Sequence, residues 1–223
     1  MQFVLTSGWE EAAAAVAKRL VDELSNDRRV LWLVSGGSQI TANVQIMSQI
    51  PDELSRNLSV TLVDERYGPI GHADSNWQQL INAGFPDKQA TLYPVIQAGL
   101  GFEQNTAYFK EMIEQAFSFN DVLIGQLGIG PDGHTAGILP HSAASAETTA
   151  LAIGYDAPPL KRLTTTFPAL KQLTAAYVLA YGDNKRESLS KLKNQDLPLS
   201  EQPSQILKEL SEAYIYNDQV GEA

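Results

Sequence analysis

Apolar residues along the chain fall into two alternating patterns. Ala13, Val16, Ala17, Leu20 and Leu24 recur at helical spacing after Ser7-Gly8-Trp9-Glu10, a segment with the S-x-x-E form of a capping box. Asn26-Asp27 breaks that helix, and Val30-Leu31-Trp32-Leu33-Val34 follows as an unbroken apolar run of strand length. Runs that do not alternate suit parallel strands covered on both faces. Val60-Thr61-Leu62-Val63 repeats the strand pattern, and Phe109, Met112, Ile113 and Ala116 mark a second helix. Val122-Leu123-Ile124, leading to Leu127, and Ala176 to Ala180 read as further strands, with a helix from Asn184 to Leu192. Strands alternating with helices predict a Rossmann-like α/β fold with a mainly parallel sheet and helices on both faces. The turn segments Ala157-Pro158-Pro159 and Leu197-Pro198 to Pro203 are too short to separate domains, so one domain over residues 1–223 is expected.

Composition narrows the chemistry. Acids outnumber bases 26 to 16, for a formal charge of −10. A nucleic-acid partner is therefore not expected, whereas a small anion needs only a few local cations. There is no cysteine, which removes disulfides, thiolate nucleophiles and Cys-ligated zinc. The first residues lack a basic, then apolar, leader, and no run approaches a membrane span. The expectation is a cytoplasmic protein without a membrane anchor.

Three polar or Gly-rich clusters each begin where an apolar run stops, which is where open parallel sheets bind ligands. Ser35-Gly36-Gly37-Ser38 lies between a strand and a helix, where backbone N–H groups and hydroxyls suit a phosphate; a plain tight turn is the alternative. It is neither a P-loop nor a G-x-G-x-x-G fingerprint, and no G-x-S-x-G elbow is present. Asp64-Glu65-Arg66 alone reads as a surface charge cluster, although its arginine suits bidentate phosphate contact. His72 and Asp74-Ser75-Asn76 follow it, His72 being either loop decoration or a substrate donor.

Gly128-Ile129-Gly130-Pro131-Asp132-Gly133-His134-Thr135 is the most informative segment. Its glycines and proline fix a loop that presents a carboxylate two residues from an imidazole, the side chain best matched to proton transfer near neutral pH. Only three histidines exist, His72, His134 and His141, none in a metal-ligand spacing, so no catalytic metal is expected. Arg162, entering a β-like run, and Lys185, where a strand gives way to a helix, sit at element ends as candidate anion-binding cations.

Together these residues resemble the 6-phosphogluconolactonase family, grouped with glucosamine-6-phosphate isomerase/deaminase. The resemblance runs in order over nearly the whole chain: Leu33 to Ser38, Val63 to Pro69 with His72 and Asp74-Ser75-Asn76, Leu127 to Ala136 with Leu139-Pro140, Arg162-Leu163-Thr164, and Gly182 with Lys185. It implies cofactor-free hydrolysis of 6-phospho-D-glucono-1,5-lactone to 6-phosphogluconate in the oxidative pentose phosphate pathway. His134 would activate water, and Asp132 or Asp64 would orient the imidazole. Ser35, Gly36, Gly37, Ser38, Arg66, His72, Asn76, Gly133, Arg162 and Lys185 would hold the substrate. A phosphorylated sugar lactone is the implied partner, and a monomer is expected.

Two segments depart from the family pattern. Gln39-Ile40 replaces the usual Thr-Pro, and Ala136-Gly137-Ile138-Leu139-Pro140 replaces Ala-Ser-Leu-Phe-Pro. The deaminase branch carries an acid directly before that proline, where Leu139 stands here, and Ile where Thr135 stands. A deaminase, or a non-catalytic sugar-phosphate sensor, is the alternative; no basic helix-turn-helix segment accompanies a sensor reading, and fold alone never fixes function.

Overall fold

The apolar run at Val30–Val34 forms a strand in which all five residues are buried, and it sits at the centre of the sheet that organises the molecule. The computed structural model describes residues 1–221. In chain order they form β1 (Gln2–Leu5), α1 (Glu10–Ser25), β2 (Val30–Val34), α2 (Ile40–Gln49), α3 (Asp52–Ser55), β3 (Leu58–Leu62), β4 (Asp64–Tyr67), α4 (Asn76–Asn82), β5 (Thr91–Tyr93), α5 (Phe102–Phe119), β6 (Val122–Leu127), β7 (Ala152–Ala157), β8 (Leu160–Thr165), α6 (Phe167–Leu170), β9 (Ala175–Ala180), α7 (Arg186–Asn194) and β10 (Ala213–Asn217).

Seven strands make one sheet in the order β1-β10-β9-β6-β2-β3-β5, every pair of them parallel. β2, β3, β6 and β9 are buried along their whole lengths, which is why their sequences do not alternate. The chain moves from β1 through β2 and β3 to β5 in one direction, then returns through β6 and β9 to β10. Right-handed crossovers put α1, α2 and α4 on one face and α5 and α7 on the other. Contacts of α1 with α2, and of α2 with α4, agree with that assignment. The α/β architecture expected from the sequence is the one observed.

The neighbours β2 and β6 are the switch point, because their outgoing connections run in opposite directions. A crevice opens beyond the carboxyl ends of such strands. The Ser35–Ser38 loop leaves β2 there, and the Gly128–His134 loop leaves β6.

Three sequence expectations need correction. Ser7 does not cap α1, whose N-cap is Trp9 without a side-chain hydrogen bond. The turn is instead organised by buried Thr6, whose Oγ1 donates to the Gly8 carbonyl at 3.1 Å. Asp64-Glu65-Arg66 is not a surface cluster: it is a strand, and Asp64 and Glu65 are 6% and 1% exposed. Arg162 does not stand at an element end but in the body of β8. Both follow from a second, antiparallel sheet, β4-β8-β7, which leaves the first after β3. It is tied on where Val63 N donates to the Val34 carbonyl and Thr165 N to the Val63 carbonyl, each at 2.9 Å.

Candidate active site

A cavity of about 250 Å³ occupies the crevice at the switch point. It is lined by Ser35, Gly36, Gly37, Ser38, Asp64, Arg66, Asn76, His134, Arg162 and Lys185, all anticipated from sequence. Gln39, Gly128, Ile129, Ala136, Leu179 and Tyr181 also line it. Tyr181 directly follows β9, so the rule that placed the other clusters at strand ends would have found it. The signal for Gln39 was its departure from the family pattern beside Ser38.

The first wall is the loop after β2. Ser35 Oγ donates to the Gln126 carbonyl at 2.9 Å, so this hydroxyl anchors the loop to β6. A Cβ on Gly36 would lie 2.0 Å from Asn76 Oδ1, and Gly37 adopts φ +61° with open space where a side chain would be. Glycine at 36 lets α4 approach, and glycine at 37 permits the left-handed turn. The chain then winds through Gly37–Gln39 into α2, presenting the N-terminal end of a helix to the cavity, a favourable place for an anion.

The second wall is the loop after β6. His134 Nδ1 lies 2.6 Å from Asp132 Oδ1, and the His134 backbone N–H donates to the same oxygen at 3.2 Å. Since an ionised carboxylate only accepts, the proton sits on Nδ1 and Nε2 is the basic nitrogen. Of the two aspartates that sequence left open, Asp132 is therefore the imidazole's partner. Burial alone would raise the Asp132 pKa, but its hydrogen bond and charge interaction with His134 outweigh that and hold it below the usual carboxylate value. Asp132 braces His134 without lining the cavity. Gly133, at φ +83°, also stands outside it, packed against the Gln202 side chain.

The third wall is one face of the small sheet. Arg66 and Arg162 are directly opposed in the β4–β8 register, with Asp64 opposite Thr164 on the same face. Like charges facing each other across strands are unfavourable, yet both guanidinium groups share the cavity. Asp64 compensates only one of them, its Oδ2 lying 3.3 Å from Arg162 Nη1. Arg66 Nη1 donates to the Asp74 carbonyl at 3.0 Å, and the buried Nε atoms of both arginines have no partner. Lys185, where β9 gives way to α7, makes no ion pair among the described residues. Burial lowers its pKa, partly offset by nearby Asp132. Net positive charge is thus concentrated in the cavity of an acidic protein.

Behind that wall, Glu65 holds the parts together. Its carboxylate accepts from Arg66 N and Asn76 N at 2.7 Å, and from Ser75 Oγ and Trp77 N at 2.9 Å. It thereby binds the first turn of α4 to β4. Burial raises the Glu65 pKa, and the four donors oppose the rise. Asn76 in turn donates from Nδ2 to the Asp64 carbonyl at 2.9 Å. His72 lies outside the main cavity, in a smaller cleft with Glu65 and Trp77, and its Nε2 is 2.9 Å from the Arg66 carbonyl. The structure gives it a place bracing Arg66. Among the described residues no three His, Cys, Asp or Glu side chains converge as a metal-ligand group.

The Gly137 departure has a steric account. A Cβ there would come within 2.9 Å of the Cβ atoms of Asp64 and Thr164. The backbone instead lies flat against β8, Gly137 N donating to Thr164 Oγ1 at 2.9 Å and its carbonyl accepting from Tyr155 OH at 2.6 Å.

Comparison with known proteins agrees with this geometry. Residues 7–215 match the family described as glucosamine-6-phosphate isomerases/6-phosphogluconolactonase. The chain is 36% identical over 138 residues to a 6-phosphogluconolactonase of Pseudomonas aeruginosa, covering 58% of this chain and 54% of that one; the match thus spans about half that relative's length. It is 33% identical over 190 residues to 6-phosphogluconolactonase 3 of Saccharomyces cerevisiae, covering 74% of this chain and 73% of the relative. A solved 6-phosphogluconolactonase from Shewanella baltica shares the fold, with a TM-score of 0.81, 18% identity and 97% of each chain covered. With a family match over nearly its whole length and a relative of this identity, the chain belongs to the glucosamine-6-phosphate isomerase/6-phosphogluconolactonase family.

Proposed function

We propose that this chain, as one α/β domain, hydrolyses 6-phospho-D-glucono-1,5-lactone to 6-phosphogluconate, with His134 as general base. The observation that carries the reading is the cross-strand pair Arg66–Arg162 in the same cavity as His134 and Lys185. Two opposed guanidinium groups call for a dianion between them, and a phosphate monoester supplies one. The substrate phosphate is held by these arginines, Lys185 and the Ser35–Ser38 loop, while the lactone ring reaches His134. Nε2 of His134 takes a proton from water as the water oxygen bonds to the lactone carbonyl carbon. The tetrahedral intermediate collapses by breaking the ring C–O bond, the proton passes from His134 to the departing ring oxygen, and the new carboxylic acid ionises. Asp132 holds the tautomer and stabilises the transient imidazolium. Gripping the phosphate contributes by orienting a carbonyl that the base must reach. No cofactor enters these steps.

The relatives named above are 6-phosphogluconolactonases, which supports the lactonase over the deaminase branch of the same family. So does Leu139, which stands where the deaminase motif places its acid and does not line the cavity. No helix among the described residues is long and apolar enough to cross a membrane; the proposal places the enzyme in the cytoplasm, acting as a monomer. The test is a pH-stat or coupled assay on freshly made lactone, corrected for spontaneous hydrolysis. Enzymatic turnover above that background is expected. Release of ammonia from glucosamine 6-phosphate without lactone turnover would replace this reading with the deaminase one.

A further inference from the structure

Beneath the Ser35–Ser38 loop lies a set of carboxamides that the proposed chemistry does not use. Gln39, Asn43 and Gln126 are 4%, 0% and 0% exposed. Gln126, in β6, donates from Nε2 to Gln39 Oε1 at 3.0 Å and also to Asn43 Oδ1. Gln39 Nε2 donates to the Leu127 carbonyl at 2.8 Å, with the Leu179 carbonyl at 3.5 Å. Asn43 Nδ2 donates to the Ser35 carbonyl at 2.8 Å, and Ser35 Oγ returns to the Gln126 carbonyl at 2.9 Å. The circuit closes between the two loops that flank the switch point.

Two further observations show that this circuit does more than fill space. A Cβ on Gly128 would sit 3.0 Å from Gln39 Nε2, so the first residue of the His134 loop is crowded by the carboxamide. Gln126 Oε1 is buried without a partner. An apolar side chain of similar size would leave no such orphan, so stability alone gives no account of Gln126. The directional hydrogen bonds of the circuit do, however, impose one geometry where apolar contacts tolerate several. Gln39 also explains how α2 starts without the usual Thr-Pro. As N-cap it makes no side-chain cap, because its carboxamide points down to the ends of β6 and β9.

We infer that Gln39 and Gln126 form a carboxamide bridge that fixes the anion-gripping loop after β2 against the base-carrying loop after β6. They are positioning residues: the bridge sets the span between the bound phosphate and the water-activating imidazole. This inference rests on the proposed lactonase reading for its kinetic consequence, but not for the existence of the bridge.

The test replaces Gln39 or Gln126 by Met, which keeps length and removes the donors and acceptors. In the variant each loop keeps its own turn and the Ser35 anchor to the Gln126 carbonyl, and only the side-chain bridge between the loops is lost. For Gln39→Met, kcat on fresh phosphogluconolactone should fall about 10- to 100-fold, the penalty of a misplaced reacting group. Affinity for inorganic phosphate, measured by calorimetry with its stoichiometry, should stay within about threefold. Gln126→Met, whose side chain does not line the cavity, should show the same split. Parental kcat in both variants, or a phosphate affinity that falls in step with kcat, overturns the bridge. A measurement on the unaltered protein stands apart from folding of the variants and from lactone turnover. The side-chain amide protons of Gln39 and Gln126 should exchange slowly and shift on saturation with inorganic phosphate. Exchange at solvent rates, with no shift, overturns the bridge even if the lactonase reading holds. Slow, phosphate-sensitive protons in a chain that turns over no lactone would retain the bridge and sink the lactonase reading instead.

Discussion

His134 and Asp132 meet over Gly130: Nδ1 and Oδ1 are 2.6 Å apart, and a Cβ on Gly130 would lie 2.1 Å from that nitrogen and 2.5 Å from that oxygen. The loop is closed by Gly130 N donating to the His134 carbonyl at 2.9 Å and Gly133 N to the Gly130 carbonyl at 3.0 Å. The pair is therefore a product of a local turn, and glycine is needed at 130 for space. If this pair supplies general-base catalysis, His134→Ala should lower kcat about 100-fold or more. Inorganic phosphate should still bind, because the anion walls are untouched. Asp132→Asn, which keeps shape and removes charge, should lower kcat with little change in KM. Steady-state rates on fresh lactone, with phosphate as a competitive ligand, check both.

Arg66→Ala and Lys185→Ala should act differently, raising KM by about tenfold or more, since a remote anchor contributes binding energy in ground and transition state alike. Unaltered kinetics in both variants would move the phosphate site elsewhere.

Lys185 also predicts a pH dependence. Burial lowers its pKa from 10.5, and only its protonated form grips a phosphate. As pH rises through the lowered value the grip is lost, so the alkaline limb of kcat/KM, which reports the free enzyme, should begin below the range of an ordinary lysine. Lys185→Arg should move that limb upward. The stability effect has the opposite sign. Between the lowered value and 10.5 the unfolded chain binds more protons, so this group's contribution to stability rises with pH.

Glu65→Gln should lower stability by about 2–4 kcal/mol, because an amide would set its own donors against N–H groups that now find an acceptor. For a chain of this size the melting temperature should fall by several degrees, about 2–4 °C per kcal/mol. KM should rise as well, since Arg66 and Asn76 are both fastened to that carboxylate. A thermal melt together with the KM of the variant checks the link.

Restoring the family's serine at 137 should destabilise this chain. The added Cβ meets Asp64 and Thr164 at 2.9 Å, overpacking of a kind that costs about 1–3 kcal/mol. Gly137→Ser should lower the melting temperature and, by displacing Asp64 from Arg162, alter KM. An unchanged melt would mean that β8 yields to the side chain.

The parallel sheet and the two glycine-rich loops at its rim were legible in the sequence because their signals are local. Unbroken apolar runs declare strands covered on both faces, and glycines mark where the backbone turns at their ends. The Gly-Pro-Asp-Gly-His-Thr motif, read as a resemblance, carried the family as well, and that reading held. What the sequence did not disclose lies between residues distant along it. Asp64-Glu65-Arg66 looked like solvated charge until β8, some hundred positions later, turned it into a strand and set Arg162 opposite Arg66. Ser7 followed by Glu10 satisfied a capping pattern, but buried Thr6 claimed the turn. Gln39 and Gln126 meet only because β2 and β6 are neighbours in the sheet, and nothing in either segment names the other. Local periodicity determines which segments are strands and where they stop. Which side chains those ends bring face to face was decided by strand order and register, properties of long-range pairing that no single stretch of the chain contains.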